Sequence, residues 1–314
     1  MTSPTRSATA FAPASIGNCA VGFDVLGHSL AGPGDSVTAT RTSTGVVRIT
    51  AIRGADIPLP EQPERNTAGQ AVLALLRHAP PRTGFDLEID KGIALGSGMG
   101  GSAASAVAAV VATNALLPQP LDAATLYAAA IEGERVASGS AHGDNVGPAL
   151  LGGLVIAPAH GAPVRIPVPS WLHIGLVRPH FVLETRVARQ ALAGAYELRE
   201  FVAQSERLAL VLAGCFQGDA ELLQRGLRDV LVEPRRAHLI PGFSRVQQAA
   251  LDCGALGASI AGAGPSMFGW FRSAADATRA TQAMAAAFAE AGMTTSSLVS
   301  PVAGPAARIL RCTS

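Results

Sequence analysis

Apolar residues recur along the first half of the chain with the spacing of strands and helices in turn. From residue 36 to 53, polar residues alternate with β-branched residues on both sides of Gly45, which predicts two strands joined as a hairpin. Residues 63–79 have helical spacing, with Asn66 or Thr67 near the helix start. Residues 84–90 (GFDLEID) predict the next strand, which leads into a glycine-rich loop.

Two further helices and a buried strand complete this half of the pattern. Residues 102–117 are small and apolar almost throughout, which predicts a helix that packs closely against its neighbours. Residues 121–137 also have helical spacing, and Asp122 is placed to cap the helix start. Residues 152–159 (GGLVIAPA) predict a buried strand.

A rise in proline content over residues 158–170 marks a predicted boundary between two domains, 1–165 and 166–314. The second half contains both strands and helices, and they follow one another in an irregular order. Such an order favours two α+β domains over a doubly wound parallel sheet. The predicted elements are strands at 172–179, 257–264 and 266–271, helices across 186–216, 219–231, 242–253 and 274–292, and a final strand.

The nearly equal numbers of basic and acidic residues limit the classes of molecule that the protein is expected to bind. The chain carries 24 Lys and Arg against 23 Asp and Glu, with 4% aromatic residues and no basic block, so neither a nucleic-acid surface nor a membrane-binding basic patch is indicated. No stretch approaches the roughly 20 apolar residues of a membrane span, and the first residues lack the apolar segment of a secretory signal. Four cysteines without a C-x-x-C pair predict reduced thiols and no structural zinc. We therefore expect a cytoplasmic protein whose partner is a small polar metabolite.

The glycine-rich loop GSGMGGSAASAV, residues 96–107, is the main candidate for chemistry. It follows a strand and opens a helix at Ser102, where unpaired backbone N–H groups and the helix dipole attract an anion such as phosphate. Glycine allows the anion to approach the backbone closely. The loop therefore predicts a phosphate-binding site.

Three known nucleotide loops compete for this stretch. Gly96, Gly98 and Gly101 match the dinucleotide pattern G-x-G-x-x-G in form, but the acidic residue that should end a second strand, Asp122, belongs to a helix cap. The only lysine of the chain, Lys91, precedes the glycines, which excludes a Walker A loop. The strings H-R-D and D-F-G are absent, which excludes a protein kinase.

Three motifs in sequence order carry a resemblance to the GHMP small-molecule kinases. They are PASIGNCAVGFDVLG (13–27), GSGMGGSAAS (96–105) and GASIAGAGPSMF (257–268). The first motif, together with the strings at 138–153, 184–189 and 232–243, resembles the homoserine kinases within that family. The resemblance implies an α+β fold with a ribosomal-S5-like N-terminal domain, which contains a left-handed β-α-β unit, and a ferredoxin-like C-terminal domain.

The same resemblance implies ATP-dependent phosphorylation of L-homoserine, in the threonine pathway, with Mg²⁺ and as a homodimer. Two alternatives stay open, a GHMP kinase with another small hydroxyl acceptor and a non-catalytic nucleotide or amino-acid sensor. Paired arginines favour an amino-acid acceptor over a polyol or sugar, and the intact pair of Ser102 and Glu134 argues against a sensor. Gly101 departs from the family pattern, in which a serine is usual, so we expect an altered nucleotide affinity.

The resemblance also assigns roles residue by residue. Arg189 and Arg236 would bind the substrate carboxylate, Asp24 with Asn18 would bind the ammonium group, and Ser102 with Glu134 would hold Mg²⁺. Asn145 takes the place of a catalytic Asp in other family members, so it would orient the hydroxyl. Asp144 is a candidate base or an acceptor for a water bound to Mg²⁺. Further substrate contacts would come from His142, Thr185 and Gly262, and ATP contacts from Asn66, Gly96, Ser97, Gly98, Met99, Gly100, Gly101, Ser102 and Ala103.

Overall fold

Two β-sheets organise the chain, and a computed structural model describes residues 6–138 and 142–313. Residues 139–141 of the matched string at 138–153 lie outside the described residues. The first sheet has the strand order β11-β1-β2-β4-β3, with β5 paired to β2 and β6 paired to β5. Its strands are β1 (Ser7–Gly17), β2 (Leu26–Thr42), β3 (Val47–Arg53), β4 (Gly84–Asp90), β5 (Leu154–Ile156), β6 (Val164–Ile166) and β11 (Arg308–Thr313).

The predicted hairpin around Gly45 is wrong, because β4 lies between β2 and β3. β2 pairs with β4 in antiparallel orientation, and β3 pairs with β4 in parallel orientation. A helix, α1 (Thr67–Leu75), connects β3 to β4. Alternation of polar and apolar residues indicates which side of a strand faces a core, and it carries no information on the neighbouring strand.

The first half contains the helices α1, α2 (Gly101–Asn114), α3 (Ala123–Ser138) and α4 (Val146–Leu151), and α2 begins at the end of the glycine-rich loop. Asn66 caps α1 by accepting hydrogen bonds from the N–H groups of Ala68 and Gly69, and Asp122 accepts one from Thr125 N. Ten residues of α2 are buried, because this helix packs on β1 and β2 and also on α1 and α3. Its small side chains permit close packing on all these sides.

The second sheet is antiparallel, with the strand order β10-β7-β9-β8. A buried hydrogen bond from Trp270 Nε1 to His28 Nε2, 3.2 Å long, connects it to the first sheet. Strands and helices in this half are β7 (His173–Pro179), α5 (Thr185–Gln190), α6 (Leu198–Gln217), α7 (Ala220–Gly226), α8 (Glu233–Arg236), α9 (Phe243–Asp252), β8 (Gly257–Ile260), β9 (Met267–Phe271), α10 (Ala274–Glu290) and β10 (Thr295–Pro301).

The combination of mostly antiparallel sheets with helices confirms the predicted α+β class. The chain returns at its end to the first sheet, where β11 pairs with β1 in antiparallel orientation. The last strand therefore lies beside the first one. The division between residues 165 and 166 stays a prediction, and so does the handedness of the β3-α1-β4 unit.

Candidate functional site

A pocket of about 220 Å³ lies where the glycine-rich loop meets residues from both halves of the chain. Six other parts of the chain contribute to its walls: the loop after β1, the helix α3, the segment before α4, the helices α5 and α8, and the loop after β8. Because these segments come from distant parts of the sequence, tertiary folding alone brings their side chains together. The residues that carry its chemistry are Asn18, Asp24, Ser102, Glu134, His142, Asp144, Asn145, Thr185, Arg189 and Arg236.

The loop after β1 has an unusual backbone conformation. Asn18, Cys19, Ala20 and Asp24 have φ angles of 69°, 41°, 64° and 57°, in the left-handed region that residues other than glycine rarely adopt. Hydrogen bonds hold this conformation, since Asn18 Oδ1 accepts from Asp24 N at 3.0 Å and Asn18 O accepts from Gly22 N at 2.7 Å. Such strain is concentrated at functional sites, and here it directs the Asp24 carboxylate into the pocket.

The glycine-rich loop requires its glycines at three positions. Gly96, Gly98 and Gly100 have φ angles of 61°, 76° and 66°. A Cβ atom at Gly98 would lie 2.5 Å from the carbonyl oxygen of Ala261, and one at Gly100 would lie 2.3 Å from Ser15 Oγ. No side chain in the described part of the chain caps α2 at Gly100. The first N–H groups of α2 therefore have no side-chain acceptor at the cap, and Gly100, Gly101 and Ser102 line the pocket, as an anion site requires.

An ion cluster occupies the other side of the pocket. Arg189 donates two hydrogen bonds to the Asp24 carboxylate, at 3.0 and 3.1 Å, and His142 Nδ1 lies 3.3 Å from Asp24 Oδ2. Burial lowers the pKa of His142, and Arg189 lowers it further, while Asp24 raises it. The cluster places a cation and an anion side by side, a match for a ligand that carries both charges.

Arg236 is buried next to this cluster. Its guanidinium donates to the carbonyl oxygens of Ala188, at 2.9 Å, and Gly262, at 3.2 Å. Burial lowers the pKa of Arg236 to about 10, and repulsion from Arg189 contributes. The ring of Phe23 lies 5.5 Å from the Arg189 guanidinium and 5.3 Å from that of Arg236, within the range of cation–π attraction. An anionic ligand group between the arginines would relieve their repulsion.

Two carboxyl groups of the pocket have raised pKa values. Burial raises the pKa of Asp144 to about 7, with further contributions from Asp24 and Glu134. Burial likewise raises the pKa of Glu134 to about 7, although a hydrogen bond with Ser102 and the charge of Lys91 oppose the change. Carboxyl groups that titrate near neutral pH can accept a proton or gain a cation at little cost.

Asn145 is held close to these carboxyl groups. Its Oδ1 accepts a hydrogen bond from Ser15 Oγ at 3.0 Å, and its Nδ2 lies 3.5 Å from Asp144 Oδ1. Asp144 in turn accepts a hydrogen bond from Asn18 N at 3.2 Å. The segment before α4 is thereby connected to the end of β1 and to the loop after it.

The donor set at Ser102 and Glu134 fits a magnesium ion that shares its coordination with phosphate oxygens and water. Mg²⁺ takes few protein ligands and prefers oxygen, so one hydroxyl and one carboxylate suffice. Over residues 6–138 and 142–313, no group of three or more His, Cys, Asp or Glu side chains is arranged to hold a metal by itself. A fully protein-bound metal centre is therefore not found in that part of the molecule.

Most of the predicted site residues line this one pocket. Asn66 and Ala103 lie outside it, since Asn66 caps α1 and donates to Pro60 O, and Ala103 is buried in α2. Their roles in ATP binding stay predictions. Sequence reasoning missed Phe23, although it directly precedes Asp24 in a matched motif. Nothing in the sequence besides this adjacency indicates its contact with the two arginines.

Among the described residues, no helix combines the length and the apolar character that crossing a bilayer requires.

Comparison with known proteins shows similarity at the level of both sequence and fold. The family model for the GHMP kinases N terminal domain matches residues 66–153, and the model for the GHMP kinases C terminal domain matches residues 211–290. A homoserine kinase of Xanthomonas campestris pv. campestris (strain B100) is 59% identical over 305 residues, which cover 97% of this chain and 94% of the relative. A homoserine kinase of Xylella fastidiosa (strain 9a5c) is 56% identical with the same coverage.

A solved structure extends the similarity to the fold. The crystal structure of homoserine kinase from Cytophaga hutchinsonii ATCC 33406 superposes with a TM-score of 0.93 at 39% identity, and the match covers 99% of each chain. The arrangement of sheets and helices described above is therefore shared over nearly the full length.

Proposed function

Because the chain belongs to the GHMP kinase family, we infer that it catalyses the ATP-dependent phosphorylation of L-homoserine to O-phospho-L-homoserine, a step of threonine biosynthesis. One observation carries this inference. The pocket combines a glycine-rich helix start on one side with an adjacent aspartate and two arginines on the other. The high identity to homoserine kinases over nearly the whole chain agrees with it.

The charged cluster suits the two ends of an amino acid. We propose that the substrate carboxylate lies between Arg189 and Arg236 and that the ammonium group lies at Asp24 and Asn18. A guanidinium binds a carboxylate through charge-assisted hydrogen bonds, each worth about 1.5–3 kcal/mol. Thr185 and Gly262 are proposed to complete this half of the site.

The glycine-rich loop suits the polyphosphate of ATP. We propose that residues 96–103 contact the phosphates through their N–H groups, and that Ser102 and Glu134 hold Mg²⁺. When bound, this ion would neutralise phosphate charge and orient the oxygens. The raised pKa of Glu134 supports this role, since a buried carboxylate of this kind gains from a nearby cation.

The segment from His142 to Asn145 suits the reacting hydroxyl. We propose that His142 and Asn145 orient the hydroxyl oxygen and that Asp144 accepts its proton. Phosphoryl transfer depends mainly on positioning and charge neutralisation, so a weak base suffices. A pKa of about 7 leaves Asp144 substantially ionised at neutral pH, as this role requires.

Two further proposals rest on the resemblance and the composition rather than on the pocket. We propose that the chain forms a homodimer and that it acts in the cytoplasm. Light scattering on the purified protein measures the mass of the assembly directly, and a monomer at micromolar concentration would contradict the first proposal.

A coupled assay of ADP release tests the function. L-Homoserine, mevalonate, galactose and L-threonine are compared as acceptors with Mg²⁺ and ATP, and we expect turnover with L-homoserine to exceed the others by at least about a hundredfold. Equal turnover of mevalonate or galactose, or binding without turnover, would contradict the inference. Ser102→Ala should lower kcat and raise the Mg²⁺ concentration needed for half activity, with the exposed Arg245→Ala as the matched control.

A further inference from the structure

The single lysine of the chain lies buried beneath the start of α2. All the other 23 basic residues are arginines, yet the side chain of Lys91 is only 4% exposed and forms an ion pair with the fully buried Asp35. Lys91 follows directly after β4, and Asp35 lies in the middle of β2. A buried lysine at this place in an arginine-rich chain needs a physical reason.

The reason is the geometry of its acceptors. The ammonium of Lys91 donates to the Asp35 carboxylate, to Gly101 O at 2.8 Å and to Ser105 Oγ at 2.8 Å. An ammonium has three N–H bonds that point to the corners of a tetrahedron, and three acceptors satisfy all of them. A planar guanidinium on a longer stem cannot replace a compact charge at such a site.

Asp35 extends the same network to the backbone before the glycine-rich loop. Its Oδ1 accepts from Gly92 N at 3.0 Å and from Ile93 N at 3.2 Å, and its Oδ2 accepts from Ser105 Oγ at 2.6 Å. The pair of Lys91 and Asp35 thus connects β2, the backbone at 92–93 and the first two turns of α2. Ser102, the proposed magnesium ligand, lies between Gly101 and Ser105, the two residues of α2 that this network holds.

We propose that Lys91 is a positioning residue that holds the start of α2 in the place needed to bind ATP phosphates. This proposal rests on the proposed function of the glycine-rich loop. Lys91 acts through Gly101 and Ser105, because its three N–H bonds already have acceptors inside the protein, and its charge also lowers the pKa of Glu134. Its role therefore differs from that of a Walker-type lysine, which contacts phosphate itself.

The double variant Asp35→Asn/Lys91→Met tests the proposal. Asparagine keeps an oxygen for the N–H groups of Gly92 and Ile93, and methionine matches the length of lysine, so neither member of the ion pair is left behind as a single buried charge. We expect the variant to fold, with a KM for ATP raised at least about fivefold and a KM for L-homoserine changed less than twofold. The exposed pair of Arg48 and Asp86, joined at 2.9 Å between β3 and β4, gives the matched control Arg48→Met/Asp86→Asn, with both constants unchanged.

Ser105→Ala provides a second route that leaves the ion pair in place, and it serves if the double variant does not fold. We expect the KM for ATP to rise about two- to fivefold, again without a change in the KM for L-homoserine. A folded variant of either kind with wild-type KM for ATP would overturn the proposal. Failure of the wild-type enzyme to phosphorylate L-homoserine would instead overturn the proposed function.

Two measurements on the protein without substrate distinguish positioning of α2 by Lys91 from direct contact of Lys91 with phosphate. Amide hydrogen exchange over residues 98–105 should be at least about tenfold faster in the double variant, and unchanged exchange would count against positioning. Acetylation by a water-soluble ester, followed by mass spectrometry, should leave the only ε-amine of the native wild-type chain unmodified. Rapid acetylation that ATP suppresses would show an exposed phosphate ligand and refute the proposal.

Discussion

Arg236→Ala is the substitution that most directly tests amino-acid recognition in the pocket. It removes a guanidinium that is 3% exposed and lies in the last turn of the short helix α8. In the free protein this group donates to the carbonyl oxygens of Ala188 and Gly262. The change therefore removes the proposed substrate contact and two internal hydrogen bonds together.

The expected magnitude follows from the two losses. A charge-assisted hydrogen bond to a carboxylate is worth about 1.5–3 kcal/mol, and 1.36 kcal/mol corresponds to a factor of ten. The KM for L-homoserine should therefore rise about 10- to 150-fold, while the KM for ATP stays within about twofold. The internal losses lower the free energy of unfolding by about 1–3 kcal/mol, because Ala188 O is left without its donor in the interior.

The assay separates recognition from stability. Steady-state kinetics are measured with L-homoserine and with an analogue in which CH₂OH replaces the carboxylate, and thermal unfolding is followed in parallel. The substitution should raise the KM for L-homoserine and change the KM for the analogue little, since the analogue lacks the carboxylate that Arg236 is proposed to bind. Equal losses with both compounds, or an unchanged KM for L-homoserine, would remove Arg236 from the proposed site. Arg245→Ala, at an exposed ion pair with Glu290, should be indistinguishable from wild type.

Three further predictions concern protons and the loop. Asp144→Asn should lower kcat about ten- to a hundredfold and make the pH profile less steep. The wild-type kcat/KM should fall below pH of about 7 as the raised pKa values of Asp144 and Glu134 are crossed, and the variant retains only that of Glu134. An unchanged profile would contradict a role as base. Gly101→Ser should lower the KM for ATP by up to about fivefold, because it adds a hydroxyl that can donate a hydrogen bond to a phosphate oxygen. Its Cβ would lie 3.6 Å from Lys91 Nζ and 3.2 Å from Ile93, so Ile93 has to shift slightly, and a rise in KM would show that the site rejects a side chain. Burial lowers the pKa of His28 from 6.5 to about 4. Above pH 6.5 this residue is neutral in both the folded and the unfolded chain. As the pH falls to 4, the unfolded chain binds a proton that the buried imidazole does not, and the free energy of unfolding drops by about 3 kcal/mol. Urea unfolding between pH 7.5 and 4.5 should depend less on pH for His28→Gln, and an equal slope would refute this.

The site shows where motif-based prediction succeeds and where it ends. Arg189, Arg236 and Asp24 were predicted from separate strings, and the pocket brings them together. The prediction could name the charges that an amino acid needs. It could not show that Arg189 forms a bidentate ion pair with Asp24 in the free protein. The distance between the two side chains depends on how α5 packs against the loop after β1.

The buried network illustrates a second limit. In the sequence, Lys91 serves only to exclude a Walker A loop, and Asp35 belongs to none of the matched motifs. Both residues are charged, and charged residues are normally exposed, so burial could not be read from their type. Their burial depends on β2, β4 and α2 meeting at one point.

The sequence by itself determined most of the helices and strands, the α+β class and the glycine-rich loop, because local spacing, caps and glycine content act over a few residues. The tertiary structure decided that β4 inserts between β2 and β3, that the last strand returns to the first, and that Phe23 lies beside two arginines. These features depend on contacts between residues far apart in the chain. Such contacts follow from the burial of whole surfaces and are not encoded in any short pattern.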